Sequence, residues 1–169
     1  MTQPKPVPKS DETTADDIAG ALGKIPSGLF VVSWRDDNRD RGMLASWVMQ
    51  AGFEPPMITV AIGTSRDLLA TIAKGVPFVV NVLAESQRSL LARFGRPAEP
   101  GEDPFAGIEL ARTASGTAAI AKAAGWLECH PVAQASSGDH VIVVGQVKAA
   151  KGGSDEAPLV HLRRNGLRY

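Results

Sequence analysis

Gly42-Met43-Leu44-Ala45-Ser46-Trp47 runs directly into Val48-Met49-Gln50-Ala51-Gly52, and this stretch decides the fold. Its β-favouring, largely apolar residues from 43 to 48 predict an extended strand. Gly52 and the pair Pro55-Pro56 then end it, because glycine packs nothing across a sheet and proline lacks the N–H a central ladder needs. Small residues stand beside large ones here. Small side chains let a planar ligand approach the main chain, whose N–H and C=O groups can then read its edge. They serve equally in a strand that fits under a neighbouring helix, and the local sequence is compatible with both.

Outward from this strand, residues 29–34 are β-rich, and the polar string 35–42 predicts a hairpin loop joining them to 43–48. Residues 57–62 resume β character. Thr64 and Ser65 predict an N-cap for a helix carrying Leu68, Leu69 and Ile72, which Gly75 and Pro77 end before an apolar strand at 78–83. A second helix is predicted over 87–94, and a long surface loop over 95–105, rich in Pro, Gly and acids. The alanine-rich run 118–124 predicts a helical turn. Residues 126–135 and 141–147 predict a hairpin joined by Ser136-Ser137-Gly138-Asp139, and 158–162 a last strand. Six to seven strands with a few short helices imply a mainly β fold, a closed or nearly closed antiparallel barrel, since closure removes exposed strand edges.

The N-terminal stretch 1–15 holds Pro4, Pro6 and Pro8 and almost no large apolar side chain, so it is expected to be a disordered tail preceding one domain over 16–169. Asp16 and Asp17 offer an N-cap for a helix through Ile18, Leu22 and Ile25, whose helical spacing predicts an apolar face on the barrel wall. Eighteen basic residues balance eighteen acidic ones, so the phosphate-neutralising face of a nucleic-acid binder is not expected. Cys129 is the only cysteine, which excludes an intramolecular disulfide and a multi-thiolate metal site and fits a reducing cytoplasm. No apolar run has the length of a membrane span, and the polar N-terminus does not resemble a secretory signal.

Three further features could carry chemistry. Gly63-Thr64-Ser65-Arg66-Asp67 puts a flexible backbone, two hydroxyls and a guanidinium at a predicted helix start, where unpaired N–H groups favour an anion such as a phosphate. The same residues also read as an ordinary capped helix with Arg66 paired to Asp67 or to solvent. His140 begins a strand after a Gly-Asp turn, so its ring could hang over a barrel mouth or simply sit in an exposed hairpin. His130, His140 and His161 are too dispersed for a metal centre, and Cys129 reads as a packed core thiol.

Taken in order, these pieces resemble the flavin reductase-like family of FMN-binding split barrels over residues 21–169. The resemblance is carried by Ile25-Pro26-Ser27-Gly28 with the strand 29–32, the 42–47 stretch, Phe53-Glu54-Pro55-Pro56, and Phe78-Val79-Val80-Asn81-Val82-Leu83 followed by Gln87. Leu127-Glu128-Cys129 and Gly138-Asp139-His140 complete it. The wording of 43–56 is especially similar to the flavin reductase-like domain fused to cyanobacterial flavodiiron proteins.

The resemblance implies a homodimer that binds FMN, or turns over FAD or riboflavin as substrate, with NADH or NADPH as electron donor. It implies that Leu44, Ala45, Ser46, Trp47, Gln50 and Ala51 surround the flavin ring and ribityl chain. Thr64, Ser65 and Arg66 are then expected by the phosphate, Asn81 as a polar contact, and His140 on the nicotinamide side as the catalytic candidate. Ala45 stands where many relatives carry a hydroxyl residue, and Trp47 where many carry Phe, so one hydrogen bond to the flavin is expected to be missing. The implied function is NAD(P)H-dependent flavin reduction, with electrons passed to an oxygenase or other redox partner. The alternative is a non-catalytic FMN-binding electron carrier that docks to such a partner.

Overall fold

In a computed structural model of the chain, strands β3 (Arg39–Ala45) and β4 (Val48–Gly52) are separated by only Ser46 and Trp47, yet they form the two outer edges of one sheet. The residues described are 13–167; residues 1–12 of the expected tail, and 168–169, lie outside them. The sheet has the order β3-β2-β6-β9-β10-β5-β4 and is antiparallel throughout, with β2 (Phe30–Asp36), β5 (Met57–Gly63), β6 (Phe78–Val82), β9 (Gly125–Ser137) and β10 (His140–Gly152). Three Cα steps of about 3.8 Å cannot bridge the width of a flat seven-stranded sheet, so the sheet must curl until its edges meet. It is a barrel split along the line that Ser46 and Trp47 cross. The expectation of a mainly β, antiparallel split barrel is borne out.

This barrel belongs to the unit Gly28–Val160, one of two into which the chain divides. Alternation along its strands sorts two cores. Val32, Trp34, Met43, Ala45, Ile58, Val60, Ile62, Phe78, Val80, Cys129 and Val143 fill the interior, joined by Leu68 and Ile72 from α2 (Leu68–Ile72). Val31, Phe94, Phe105, Ile120 and Leu159 form a second cluster with Leu29, Leu83 and Ala123. A fully buried side chain of this size contributes roughly 1.5–3 kcal/mol, so both layers matter to stability.

Polar groups fasten the second layer. The Asn81 amide donates to the Val31 carbonyl at 2.9 Å and to Ser33 Oγ at 3.1 Å, and its Oδ1 accepts the Ile120 N–H at 2.7 Å. These bonds tie the short hairpin β7 (Leu110–Arg112) and β8 (Ala118–Ile120) to the sheet. Glu128, buried on β9, accepts from the Ser115 N–H and hydroxyl in the hairpin's turn.

Several boundaries depart from the sequence expectations. The predicted loop 35–42 shrinks to Asp37 and Asn38, both at positive φ, because two residues in that conformation make a turn that matches strand twist. Residues 48–52, partly assigned to a loop, form the edge strand β4; glycine at its end is tolerated where a bulge opens the ladder between Gln50 and Gly52. Residues 118–120 are strand rather than helical turn: burial of Ala118, Ala119 and Ile120 outweighs the helix propensity of alanine. The predicted helix 87–94 divides into a 3-10 turn, Glu85–Gln87, and α3 (Leu90–Phe94). The last strand shortens to β11 (Val160–His161), and a two-residue strand, β1 (Ser27–Gly28), was not anticipated.

The other unit holds, among the described residues, 13–27 and 161–167. In it α1 (Ala15–Leu22) is capped by Thr14, not by Asp16 or Asp17: Thr14 Oγ1 accepts the Asp17 N–H, and Asp17 returns a bond to the Thr14 N–H. A hydroxyl with an acid three residues later satisfies two helix-end donors at once, which Asp16 cannot do. Ala19 is the buried residue of the helix, while Ile18, Leu22 and Ile25, the expected apolar face, are exposed.

Candidate functional site

The line at which the barrel is split and the β9–β10 hairpin meet at one place. β10 pairs with β5 so that His140 stands opposite Gly63, and β4 pairs with β5 so that Val48 stands opposite Val60. The Trp47 carbonyl accepts the Ala61 N–H at 2.9 Å, which fixes the crossing segment against β5. Trp47 and His140, remote in sequence, thereby come into ring contact, with centroids 4.8 Å apart and planes inclined at 53°.

Gly63 lies beside His140, on the side of Arg66. A β-carbon there would lie 3.9 Å from His140 Nε2 and 3.9 Å from Arg66 Cγ, so glycine leaves the space between these two side chains open. The turn after Gly63 is fastened at both ends: the Arg66 N–H donates to the Gly63 carbonyl, and the Thr64 N–H to the Asp139 carbonyl, each at 3.0 Å. Asp139 also places Oδ1 2.7 Å from His140 Nδ1. That contact, a hydrogen bond first and an electrostatic attraction second, holds the Asp139 carboxyl below the usual carboxylate range.

Of the residues expected from the sequence, Trp47, Thr64, Arg66 and His140 converge here, with Ser46 and Ser65 next to them in the chain. Ala45 ends β3 as a buried member of the interior core, immediately before the crossing. Leu44 packs instead with the second apolar cluster. Gln50 and Ala51 are exposed farther along β4. Asn81 is fully buried with its amide committed to Val31, Ser33 and Ile120, so its polar atoms are spent on holding the hairpin β7–β8. Its neighbours in the sheet are β2 and β9, not the strands that carry His140 and Gly63.

The helix-start argument for Thr64 to Arg66 needs correction. The helix begins at Leu68 with Asp67 as its N-cap in helical conformation and no side-chain capping bond, and it lasts five residues. One turn sums too few peptide dipoles to attract an anion by itself. What these residues offer is a half-buried guanidinium and two exposed hydroxyls on a tight turn. Cys129, as expected, is a core thiol: burial, reinforced by Glu128, pushes it up to about 12.

Sequence reasoning did not select Gly63 or Asp139 as site residues. Gly63 was legible only as a flexible joint, since the side chains it makes room for come from 66 and 140. From the sequence, Asp139 reads as turn material. A Gly-Asp pair placed directly before a histidine was the available signal.

A cavity of about 640 Å³ opens elsewhere in the unit, between Arg39, Arg41 and residues 98–103. It lies at the opposite end of β3 from Ala45 and contains none of the converging residues. Chemically, the cluster offers two aromatic rings in mutual contact beside the Arg66 guanidinium, features that suit a planar ring system with an anionic tail.

Known proteins share this architecture. The NADH:FAD oxidoreductase SgcE6 of Streptomyces globisporus C-1027 superimposes with a TM-score of 0.80 at 25% identity, over 96% of each chain, and that protein has also been solved with NAD and FAD fragments. BorF, the flavin reductase component of a bacterial two-component tryptophan halogenase, gives a TM-score of 0.76 at 26% identity over 86% of this chain and 91% of its own. The fold is therefore that of the split-barrel flavin reductases. The flavin reductase like domain matches residues 22–167, and the chain belongs to that family. Among curated relatives, diflavin flavoprotein A 1 of Synechocystis sp. is 34% identical over 155 residues, which is 90% of this chain but 27% of the relative. The chain thus spans about a quarter of that protein's length.

Proposed function

We propose that the chain is a flavin-binding oxidoreductase that takes reducing equivalents from NADH or NADPH, reduces FMN, and passes the electrons to an acceptor such as an oxygenase or another redox protein. The observation that carries this reading is the convergence at His140 of the Trp47 ring and the Gly63–Arg66 turn. Bound flavin supplies the two-electron chemistry that no side chain here can perform. The protein's share is placement. The segment from Ala45 to Trp47 borders the electron-rich edge of the ring in this reading. Arg66, with Thr64 and Ser65, holds the phosphate, a role for which a guanidinium is suited by charge and fork geometry. The Trp47–His140 pair borders the flavin on one side, and the nicotinamide approaches the other, which converts an encounter into an oriented complex.

The copies of this chain are proposed to pair through the edge strand β4. Trp47, Met49 and Phe53 are 40%, 66% and 86% exposed along that strand and its turn, an apolar row of the kind that marks an association surface. No helix among the described residues is long and apolar enough to cross a membrane. The single thiol fits a cytoplasmic setting.

A second reading is favoured by one finding, that diflavin flavoprotein A 1 carries the matching segment as a minor part of a longer chain. In that reading the barrel is an FMN-binding electron carrier docked to a partner. One experiment separates the two. The purified protein is mixed with FMN, then with NADH or NADPH without oxygen, and followed by visible absorbance. Rapid bleaching of the flavin supports the reductase. A tightly held yellow flavin that either nucleotide leaves oxidised supports the carrier, and no change in the FMN spectrum on mixing rejects both.

A further inference from the structure

We propose that the cavity between the start of β3 and the loop 98–103 is a second binding site, for the adenosine diphosphate moiety of a dinucleotide, with Arg39 and Arg41 on its phosphoryl groups and Glu99 on its amino group. That the dinucleotide is FAD or NADH rests on the reductase reading; the site itself does not.

The argument begins with which charges are already spent. Arg39 and Arg41 alternate with Asp40 along β3, so the two arginines share one face of the strand and Asp40 takes the other. Asp40 is held there by both carboxylate oxygens, Oδ1 by Arg112 Nη1 and Oδ2 by Arg112 Nη2, each at 2.7 Å. On the loop, Glu102 accepts the Arg96 fork at 2.7 and 2.9 Å and the Glu99 N–H at 2.8 Å, and Asp103 Oδ1 accepts the Phe105 N–H at 2.9 Å. Three of the four acids lining the cavity are therefore committed. Both arginines are not: among the described residues their guanidinium groups have no hydrogen-bond or ion-pair partner, and the Glu99 carboxylate makes no hydrogen bond or contact ion pair.

The shape selects among anions. Residues two apart on a strand stand about 6.6 Å from each other, a spacing that lets two guanidiniums take one phosphoryl group each of a diphosphate. At about 640 Å³ the cavity is of the size that holds a small organic molecule rather than an inorganic ion. Ala98 and Pro100 add apolar surface beside the unspent Glu99 carboxylate, a combination suited to a heterocycle with an exocyclic amine. The loop is preset as well: the Arg96–Glu102 fork closes it on itself, and Phe105, buried in the second apolar cluster, anchors its end. Little ordering is left for a ligand to impose.

The test is calorimetric titration of the full chain with ADP, with adenosine and inorganic pyrophosphate as comparison ligands. Wild type is expected to bind ADP, to bind pyrophosphate more weakly and adenosine hardly at all. Arg39→Gln combined with Arg41→Gln is expected to weaken ADP at least tenfold, the loss of two charge-assisted contacts. Arg39→Gln alone, at the exposed end of the strand, is expected to weaken it several-fold and carries the test if the double variant does not fold. No heat from ADP in wild type, or equal affinity in wild type and variants, overturns the site; pyrophosphate bound as tightly as ADP overturns the adenosine end. The double variant then distinguishes the sources. Lost affinity for FAD with FMN unchanged assigns the moiety to the flavin, and a raised KM for NADH with FMN binding unchanged assigns it to the nicotinamide nucleotide. A variant that has lost ADP but keeps its affinity for FAD and its KM for NADH overturns the dinucleotide assignment. ADP bound at these arginines in a protein that oxidises no NADH overturns the reductase reading and leaves the site standing.

Discussion

Arg66 shows what one residue can and cannot be asked to do. Its helix is a single turn, so any preference for phosphate must come from the guanidinium and the neighbouring hydroxyls. Arg66→Ala is therefore expected to weaken FMN about tenfold or more and riboflavin hardly at all, since only FMN brings a phosphate. Fluorescence titration with both flavins checks this, and equal losses would remove Arg66 from the site. Trp47 and His140 could each be picked out from the sequence as members of suggestive motifs. Their contact could not, because it depends on β10 pairing with β5 in one register. Asn81 illustrates the converse. A polar residue in an apolar strand suggests a ligand contact, but a buried amide must be satisfied by something, and here the protein's own backbone does it.

At the scale of elements, the hairpin β7–β8 is held by buried polar contacts, of which those of Asn81 and Glu128 can each be tested. Asn81→Leu keeps the volume but orphans the Ile120 N–H and the Val31 carbonyl, and is expected to cost about 3 kcal/mol in denaturant unfolding. A loss below about 1 kcal/mol would mean that the amide does not anchor the hairpin. Glu128 gives a pH signature. Burial alone would raise it, but the Ser115 and Thr113 hydroxyls and the Ser115 N–H outweigh that and hold it below its ordinary value of 4.5. A carboxylate depressed in the folded state contributes stability that is fully present above the unfolded value and is lost as pH falls through the folded one. Thermal melts should show the wild type losing its advantage over Glu128→Gln as pH drops below 4.5; parallel curves would contradict the linkage. The long hairpin β9–β10 was plain in the sequence because alternation and a Gly-Asp turn agree. The hairpin β7–β8 was not, since alanine-rich strands are made by burial, which only tertiary structure supplies.

For the whole molecule, strand content, antiparallel pairing and barrel closure were legible because motif order and hydrophobic alternation point the same way. The line of the split was not, since nothing local marks Ser46 and Trp47 as a passage between opposite edges. The exposed row on β4 leads to a prediction about assembly. Phe53→Asp is expected to shift sedimentation from dimer to monomer while leaving the melting temperature of the monomer intact; an unchanged sedimentation coefficient would exclude that surface. The pairing of Gly63 with His140 has a kinetic consequence. Residues so distant in sequence meet only after the chain has surrendered much of its loop entropy, so these contacts are expected late on the refolding pathway. Stopped-flow refolding followed by the quenching of Trp47, with Trp34 and Trp126 replaced by Phe, should lag behind the far-ultraviolet signal of the β9–β10 hairpin. Coincident signals would show instead that nucleation happens at the proposed ligand site.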